Sequence, residues 1–258
     1  MLLEDKNAVI YGAGGAIGGA VARTFAREGA TIHLAGRTRA SLEAVAGDIE
    51  AAGGRAEVAV VDALDSQAVD EHIGEVVGRA GSVDVSFNAI SIRDVQLIPL
   101  VEMSREDFMS PILTGATTHF LTATSAARYM AGQGSGVILT LSASAVRAFF
   151  PGVYVGGFGI AGTAIEALTK QLAAELGPQG IRVICLRSEG IRESWESAST
   201  EGWSASTDEI EAFLKERSLL GRVTTLADVG NAAVFLASDL AGATTGTVFN
   251  PTSGTVVD

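Results

Sequence analysis

The sequence predicts an α/β protein: one doubly wound parallel sheet of about seven strands, with helices on both faces. Two observations carry this. Short apolar runs rich in β-branched residues alternate with helix-period segments from one end of the chain to the other. Regular βα alternation of that kind produces parallel strands joined by right-handed crossovers. The first apolar run also passes straight into a glycine-dense turn, AVIYGAGGAIGG from Ala8 to Gly19. There a buried strand meets a helix N-terminus, where free backbone N–H groups and the helix dipole favour a phosphate.

The elements follow in order. The first strand ends at Tyr11 and helix continues to about Glu28. Thr31–Ala35 reads as strand, Ser41–Ala52 as helix and Ala56–Val61 as strand. Helix resumes near Ser66, and Val83–Phe87 is the fourth strand. A long helical segment runs from about Ser104 to Met130, opened by Ser104 and Asp107 at capping-box spacing. Pro111 lies inside it and marks the expected break or kink, because proline removes a backbone donor and clashes with the preceding turn. Val137–Leu141 is strand, Phe158–Leu176 helix, Ile181–Leu186 strand, Leu226–Ala237 helix and Thr247–Asn250 the last strand.

Glu189–Leu219 differs from the rest of what reads as a single domain over 1–258. It is rich in Ser and Glu and holds both tryptophans, Trp195 and Trp203. An insertion beside a strand C-terminus suits a lid over a substrate; the two indoles could equally anchor a helical pair to the body.

Composition bounds the function classes. The 258 residues are 47% hydrophobic with five prolines, which is a globular, ordered composition. A formal net charge of −12 argues against nucleic acid or an anionic membrane as partner. The single cysteine, Cys185, sits in the apolar run VICL, reads as a small buried hydrophobe and implies a reducing compartment. No run reaches the roughly 18 apolar residues of a membrane span, and MLLEDKNAVIY lacks the apolar stretch of a signal peptide. The expectation is a cytoplasmic protein acting on a small molecule.

Within this frame the chain resembles the short-chain dehydrogenase/reductase family over nearly its whole length. Its opening turn is similar to the family's TGxxxGxG loop through Gly12, Ala16 and Gly18, with Tyr11 in place of Thr and Ala16 for the middle glycine. Asp62 stands where the family hydrogen-bonds adenine, and Asn88 opens a NAIS turn resembling the family's NNAG. LTKQLAAELGPQGIRV (168–183), LGRVTTLADVGNAAVFLASD (220–239) and TTGTVF (244–249) match later family blocks. The resemblance implies a Rossmann-type fold and a nicotinamide dinucleotide held by Gly12, Gly14, Gly15, Ala16, Ile17, Gly18, Asp62, Ala63, Asn88 and Ala89. It also implies a homodimer or homotetramer formed through the long helices near 104–130 and 158–176.

Cofactor preference follows from the end of the second strand. Dinucleotide folds that prefer NAD carry an acid there for the ribose hydroxyls. This chain has Arg37, with Thr38 and Arg39 beside it. A guanidinium can pair a 2′-phosphate, which favours NADP(H) over NAD(H); the alternative is a solvated loop charge.

The family's Asn-Ser-Tyr-Lys set is where the resemblance fails. AGTAIEALTKQLAAEL (161–176) is similar to the family's SKAALEALTRSLAAEL and fixes the register. The lysine falls on Gly162, the tyrosine on Phe158 and the asparagine on Gly115. The serine falls on or beside Ala143, between Ser142 and Ser144. A phenol needs a nearby cation to act near neutrality, and loss of a positioned acid costs a factor of about 10²–10⁴. Glycines at 115 and 162 leave space for water or a substrate group, unless neighbouring side chains fill it.

The remaining candidates are Ser142 and Ser144, to hold a substrate oxygen or satisfy nearby backbone, and Tyr154. On a helix Tyr154 would lie one turn before Phe158 and on the same side; otherwise it is a loop-edge aromatic. Enoyl reductases of the superfamily, with a tyrosine-to-lysine spacing of seven, would place their tyrosine on Val155, next to Tyr154. Lys170 lies two turns beyond Gly162, too far to take the lysine's place. His119 reads as a core or helix-face histidine. Arg187 and Glu189, where the family has its Pro-Gly above the nicotinamide, form a charged pair that is either functional or a structural ion pair. Two functions follow. One is an NADP(H)-dependent oxidoreductase with non-standard proton delivery, acting on a C=C, an imine or an activated carbonyl. The other is a catalytically silent dinucleotide-binding sensor, scaffold or partner of an active homologue.

Overall fold

The computed structural model describes residues 1–92, 94–147, 153–196 and 206–257. The elements in chain order begin β1 (Asn7–Tyr11), α1 (Ala16–Arg27), β2 (Thr31–Gly36), α2 (Arg39–Ala51), β3 (Arg55–Val60) and α3 (Ser66–Ala80). They continue β4 (Val85–Asn88), α4 (Arg105–Gln133), β5 (Gly136–Ala143), α5 (Gly156–Leu176) and β6 (Ile181–Ser188). The last are α6 (Arg192–Glu196), α7 (Thr207–Arg217), α8 (Leu226–Ala237) and β7 (Val248–Phe249). The strands form one seven-stranded sheet in the order β3-β2-β1-β4-β5-β6-β7. Every pairing is parallel. The winding reverses between β1 and β4, where an open sheet of this kind binds its ligand beyond the strand C-termini.

Strand alternation divides the core into two layers. Ala8 and Ile10 of β1 face α1, α2 and α8 with Phe25, Leu42, Ile49 and Val229. Val9 and Tyr11 face the other way, toward α3, α4 and α5 with Ile73, Ala126, Met130 and Leu172. Period-2 strands covered on both faces read as continuous apolar runs, which is why the sequence shows them so plainly.

The starts of α3, α4 and α8 are chemically defined. The Asp65 carboxylate accepts from the N–H groups of Gln67 and Ala68 at the head of α3. Ser104 accepts from Asp107 N at the head of α4, and Thr225 and Asp228 form a reciprocal capping box at α8.

Two expectations are corrected. Pro111 does not interrupt its helix: α4 runs unbroken from Arg105 to Gln133. Pro111 is buried, and α5 approaches it closely at Gly157, where a Cβ would lie 2.9 Å from Pro111 Cγ and 2.0 Å from Phe108 O. Packing against α5 outweighs the lost donor. Secondly, α5 starts at Gly156, which leaves Tyr154 in the preceding loop and removes the one-turn relationship to Phe158. The stretch expected as an insertion contains α6 and α7, joined by Arg192 to Asp208 (2.6 Å) and Glu211 (2.9 Å). The Trp195 side chain and Trp203 lie outside the described residues. Among the described residues no helix is long and apolar enough to cross a membrane.

Candidate functional site

The turn between β1 and α1 is built by close backbone approach. Gly12 has φ +75°, and a Cβ there would stand 2.5 Å from Ala89 O. A Cβ on Gly18 would stand 2.3 Å from Gly12 O, and one on Gly14 would stand 2.4 Å from Ser41 Oγ. Gly15 is the extended N-cap of α1 and offers no side-chain cap, and no acid occupies the first turn at Ala16 and Ile17. The N–H groups at the head of α1 are therefore left for a ligand, and the absence of a competing carboxylate suits an anion. Tyr11, standing for the family's threonine, is a core residue. Its ring meets His72 edge-on at 5.8 Å, and its hydroxyl lies 3.4 Å from His72 Nδ1. Burial pushes the Tyr11 hydroxyl up and drives His72 down to about 4, the latter with the added influence of His33 and Arg79.

Further along the strand ends, Arg37 directly follows β2 and is exposed. Its neighbour Arg39 pairs with Glu43 at 3.6 Å. Thr38 is the N-cap of α2 and makes no side-chain cap. Asp62 is exposed just beyond β3, where Oδ1 accepts from Leu64 N at 3.1 Å, and Ala63 behind it is buried. Asn88 is buried at the end of β4; Nδ2 donates to Thr122 Oγ1 and Oδ1 accepts from Ile90 N, both at 3.0 Å. Those two bonds hold the NAIS turn, whose Ala89 carbonyl faces Gly12. The glycine contacts, the uncapped helix head and the flanking Arg37 and Asp62 fit a dinucleotide.

The opposite end of the cleft is different. At Gly162 a Cβ would meet Val146 Cγ1 at 2.4 Å, and at Gly115 it would meet Ile92 Cδ1 at 2.8 Å. Ile92 and Val146 thus occupy the space the two glycines vacate and form an apolar wall, and half-buried Phe158 lies one helical turn before Gly162 on α5. Lys170 is exposed and remote from this wall.

Beside the wall lies a buried polar cluster with an unexpected member. Arg187 does not pair with Glu189. Its Nε donates to Glu166 Oε1 at 2.9 Å and its Nη2 to Oε2 at 3.1 Å. Ser142 Oγ donates to the same Oε1 at 2.9 Å. Register explains the pairing: Ser142 and Arg187 are direct partners across β5 and β6, and Glu166 reaches them from α5. Cys185, on the same strand, has its thiol pushed up by burial.

Glu189 has separate company: Oε1 accepts from Ser144 Oγ at 2.5 Å and from Gly190 N at 3.1 Å. Tyr154 is 42% exposed, and its carbonyl accepts from Leu97 N at 2.8 Å. His119 is a core residue whose Nδ1–H donates to Gly115 O (2.9 Å) while Nε2 accepts from Leu141 N (3.3 Å). Glu166 is the site residue that the sequence reading missed. Its signal was an acid on the apolar stretch AGTAIEALTKQL, one turn after Gly162.

A doubly wound sheet with this order and a glycine cradle between its first strand and helix defines a dinucleotide-binding α/β protein. The chain belongs to the short-chain dehydrogenase/reductase family: residues 12–255 match the family model described as "Enoyl-(Acyl carrier protein) reductase". An uncharacterised oxidoreductase of Mycobacterium tuberculosis is 31% identical over 95% of this chain and 89% of its own length. Gluconate 5-dehydrogenase of Gluconobacter oxydans is 28% identical over 99% of this chain and 96% of its own. A short-chain dehydrogenase/reductase structure from Mycobacterium marinum superposes with a TM-score of 0.86 at 28% identity, covering 99% of this chain and 97% of that one. The family binds NAD or NADP.

Proposed function

We propose that the protein is an NADP(H)-dependent oxidoreductase of small molecules in which the proton is not delivered by a tyrosine–lysine pair. The observation that supports this is the division of the site: a glycine turn with an uncapped helix head stands at one end, while at the other Phe158 stands at the tyrosine position, Val146 takes the space beside Gly162 at the lysine position and Ile92 the space beside Gly115 at the asparagine position. The bound cofactor would supply the hydride. The chain's own residues do the rest. Backbone N–H groups around Gly14, Gly15, Ala16, Ile17 and Gly18 hold the pyrophosphate, Arg37 with Thr38 takes the 2′-phosphate, and Asp62 and Ala63 flank the adenine. Asn88 fixes the turn behind Gly12. The apolar wall excludes water from the reacting face, which suits a C=C, an imine or an activated carbonyl. Ser144 and Glu189 supply polarity there, and α6 and α7, within 189–219, act as the lid.

Titration with NADPH and NADH, then oxidation of each with enones, imines and activated ketones, tests the reading. Tighter NADPH binding and turnover of at least one class support it; Arg37→Ala should weaken NADPH about 10-fold or more and leave NADH unchanged. Binding without any turnover would instead identify a silent dinucleotide-binding protein. A homodimer or homotetramer through α4 and α5 is part of the same reading, supported by exposed Leu113, Phe120 and Ile160 on those helices. Light scattering reads that state directly.

A further inference from the structure

Glu189 is a buried carboxylate that the fold leaves half satisfied. The residue is 4% exposed. Ser144 Oγ and Gly190 N both donate to Oε1, at 2.5 and 3.1 Å, and Ser188 Oγ donates to its main-chain carbonyl at 2.9 Å. Oε2 is closed to solvent and has no hydrogen-bond partner. Arg187, two residues back, is bidentate on Glu166. Burying a carboxyl oxygen without a hydrogen bond is costly, and folds do not ordinarily leave such an oxygen unmatched. It lies at the C-terminal end of β6, beside the residue that follows β5, and that edge is where sheets of this winding hold their substrates.

A second, independent observation bears on the same chemistry. Neither Phe158 nor the Val146 and Ile92 side chains beside Gly162 and Gly115 hold a group able to give a proton to a substrate oxygen. A substrate that already carries its proton needs none.

We propose that the substrate is a protonated imine, its N–H⁺ donating to Glu189 Oε2. The inference rests on the oxidoreductase reading above and names the substrate class of that site. The balance is simple. The imine carbon accepts a hydride from a reduced nicotinamide dinucleotide, forming one C–H bond. The π pair of the C=N bond becomes the nitrogen lone pair, and the products are a neutral amine and the oxidised dinucleotide. No proton is transferred in that step, and Glu189 stabilises the iminium charge by hydrogen bond and Coulomb attraction. In this proposal the substrate reaches Oε2 past α6, which begins at Arg192. Its ties to α7, through Arg192 to Asp208 and Glu211, are partly exposed ion pairs of little strength.

The test pairs imines with ketones of like shape: dihydroisoquinoline and methylpyrroline against tetralone and cyclopentanone, each with NADPH and with NADH. Imine turnover with ketone turnover at least about 10-fold lower is expected, and Glu189→Gln should lower kcat/KM for the imines about 30-fold or more, with Glu189→Asp recovering part of it. A second measurement needs no variant: tetrahydroisoquinolinium should bind the protein–NADP⁺ complex at least about 10-fold tighter than isochroman, its neutral isostere. Equal binding of the two overturns the proposal, as does imine turnover indifferent to Glu189→Gln. Ketone or enone turnover alone overturns it and leaves the oxidoreductase reading standing. Dinucleotide binding with no turnover of any class overturns both.

Discussion

The guanidinium of Arg187 lies flat against the carboxylate of Glu166, with Nε–Oε1 at 2.9 Å and Nη2–Oε2 at 3.1 Å and both side chains withdrawn from water. This pair sits one helical turn from Gly162, where the family carries its lysine. Removing Glu166 takes the bidentate partner from a buried guanidinium. Glu166→Ala should therefore lower the unfolding free energy by about 3–5 kcal/mol, read by denaturant melts. Replacing both, as Glu166→Leu with Arg187→Met, should cost far less, because the desolvation of two ions disappears with them.

The three histidines are all buried, and acid should expose that. Burial drives both His72 and His119 down to about 4 from the usual 6.5. The unfolded chain binds protons at these sites before the folded chain does. Their contribution is whole above about pH 6.5 and is lost as pH falls through 4, up to about 3 kcal/mol each. His119 has a specific reason: Nε2 accepts from Leu141 N and cannot do so once protonated. Unfolding midpoints measured from pH 7 to 4 should fall steeply, and His72→Phe, which keeps the ring against Tyr11, should flatten the slope.

Restoring the family's acid requires more than two substitutions. A side chain at 162 meets Val146 Cγ1 at 2.4 Å. Gly162→Lys alone should destabilise by about 1–3 kcal/mol and bring no carbonyl reduction. Phe158→Tyr, Gly162→Lys and Val146→Ala together make room for the lysine beside a phenol. Ketone reduction should then rise by about 10²–10⁴, the ordinary worth of a positioned general acid.

Gly12→Ala tests the cradle. The φ of +75° and the 2.5 Å approach to Ala89 O leave no room for a methyl group. The strain of about 1–3 kcal/mol should appear in the melt, and dinucleotide binding should be lost with the shape of the turn.

The residues differ in how far they announced themselves. Gly12 and Gly18 did, because a turn that needs positive φ or close backbone approach admits glycine almost alone. The βα alternation did so too, since each strand is covered on both faces and each helix carries its own period. Pro111 misled, because its local cost is repaid by α5 packed against it. Tyr154 misled for a related reason: one helix boundary, at Gly156, decides which residues share a face.

The sheet and the glycine turn were thus legible in the amino-acid sequence, and the resemblance puts the tyrosine and lysine positions on Phe158 and Gly162. Each is written within a few neighbouring residues, through backbone conformation, periodicity or plain identity. Only the tertiary structure decided that Arg187 pairs with Glu166, 21 positions away, and not with Glu189 two positions on. It likewise decided that Ile92 and Val146 fill the space beside Gly115 and Gly162. Such partners are set by which strand and helix lie side by side: Arg187 is still in β6, where Glu166 of α5 reaches it, whereas Glu189 lies past the strand's last residue, Ser188, and meets Ser144 beyond the end of β5.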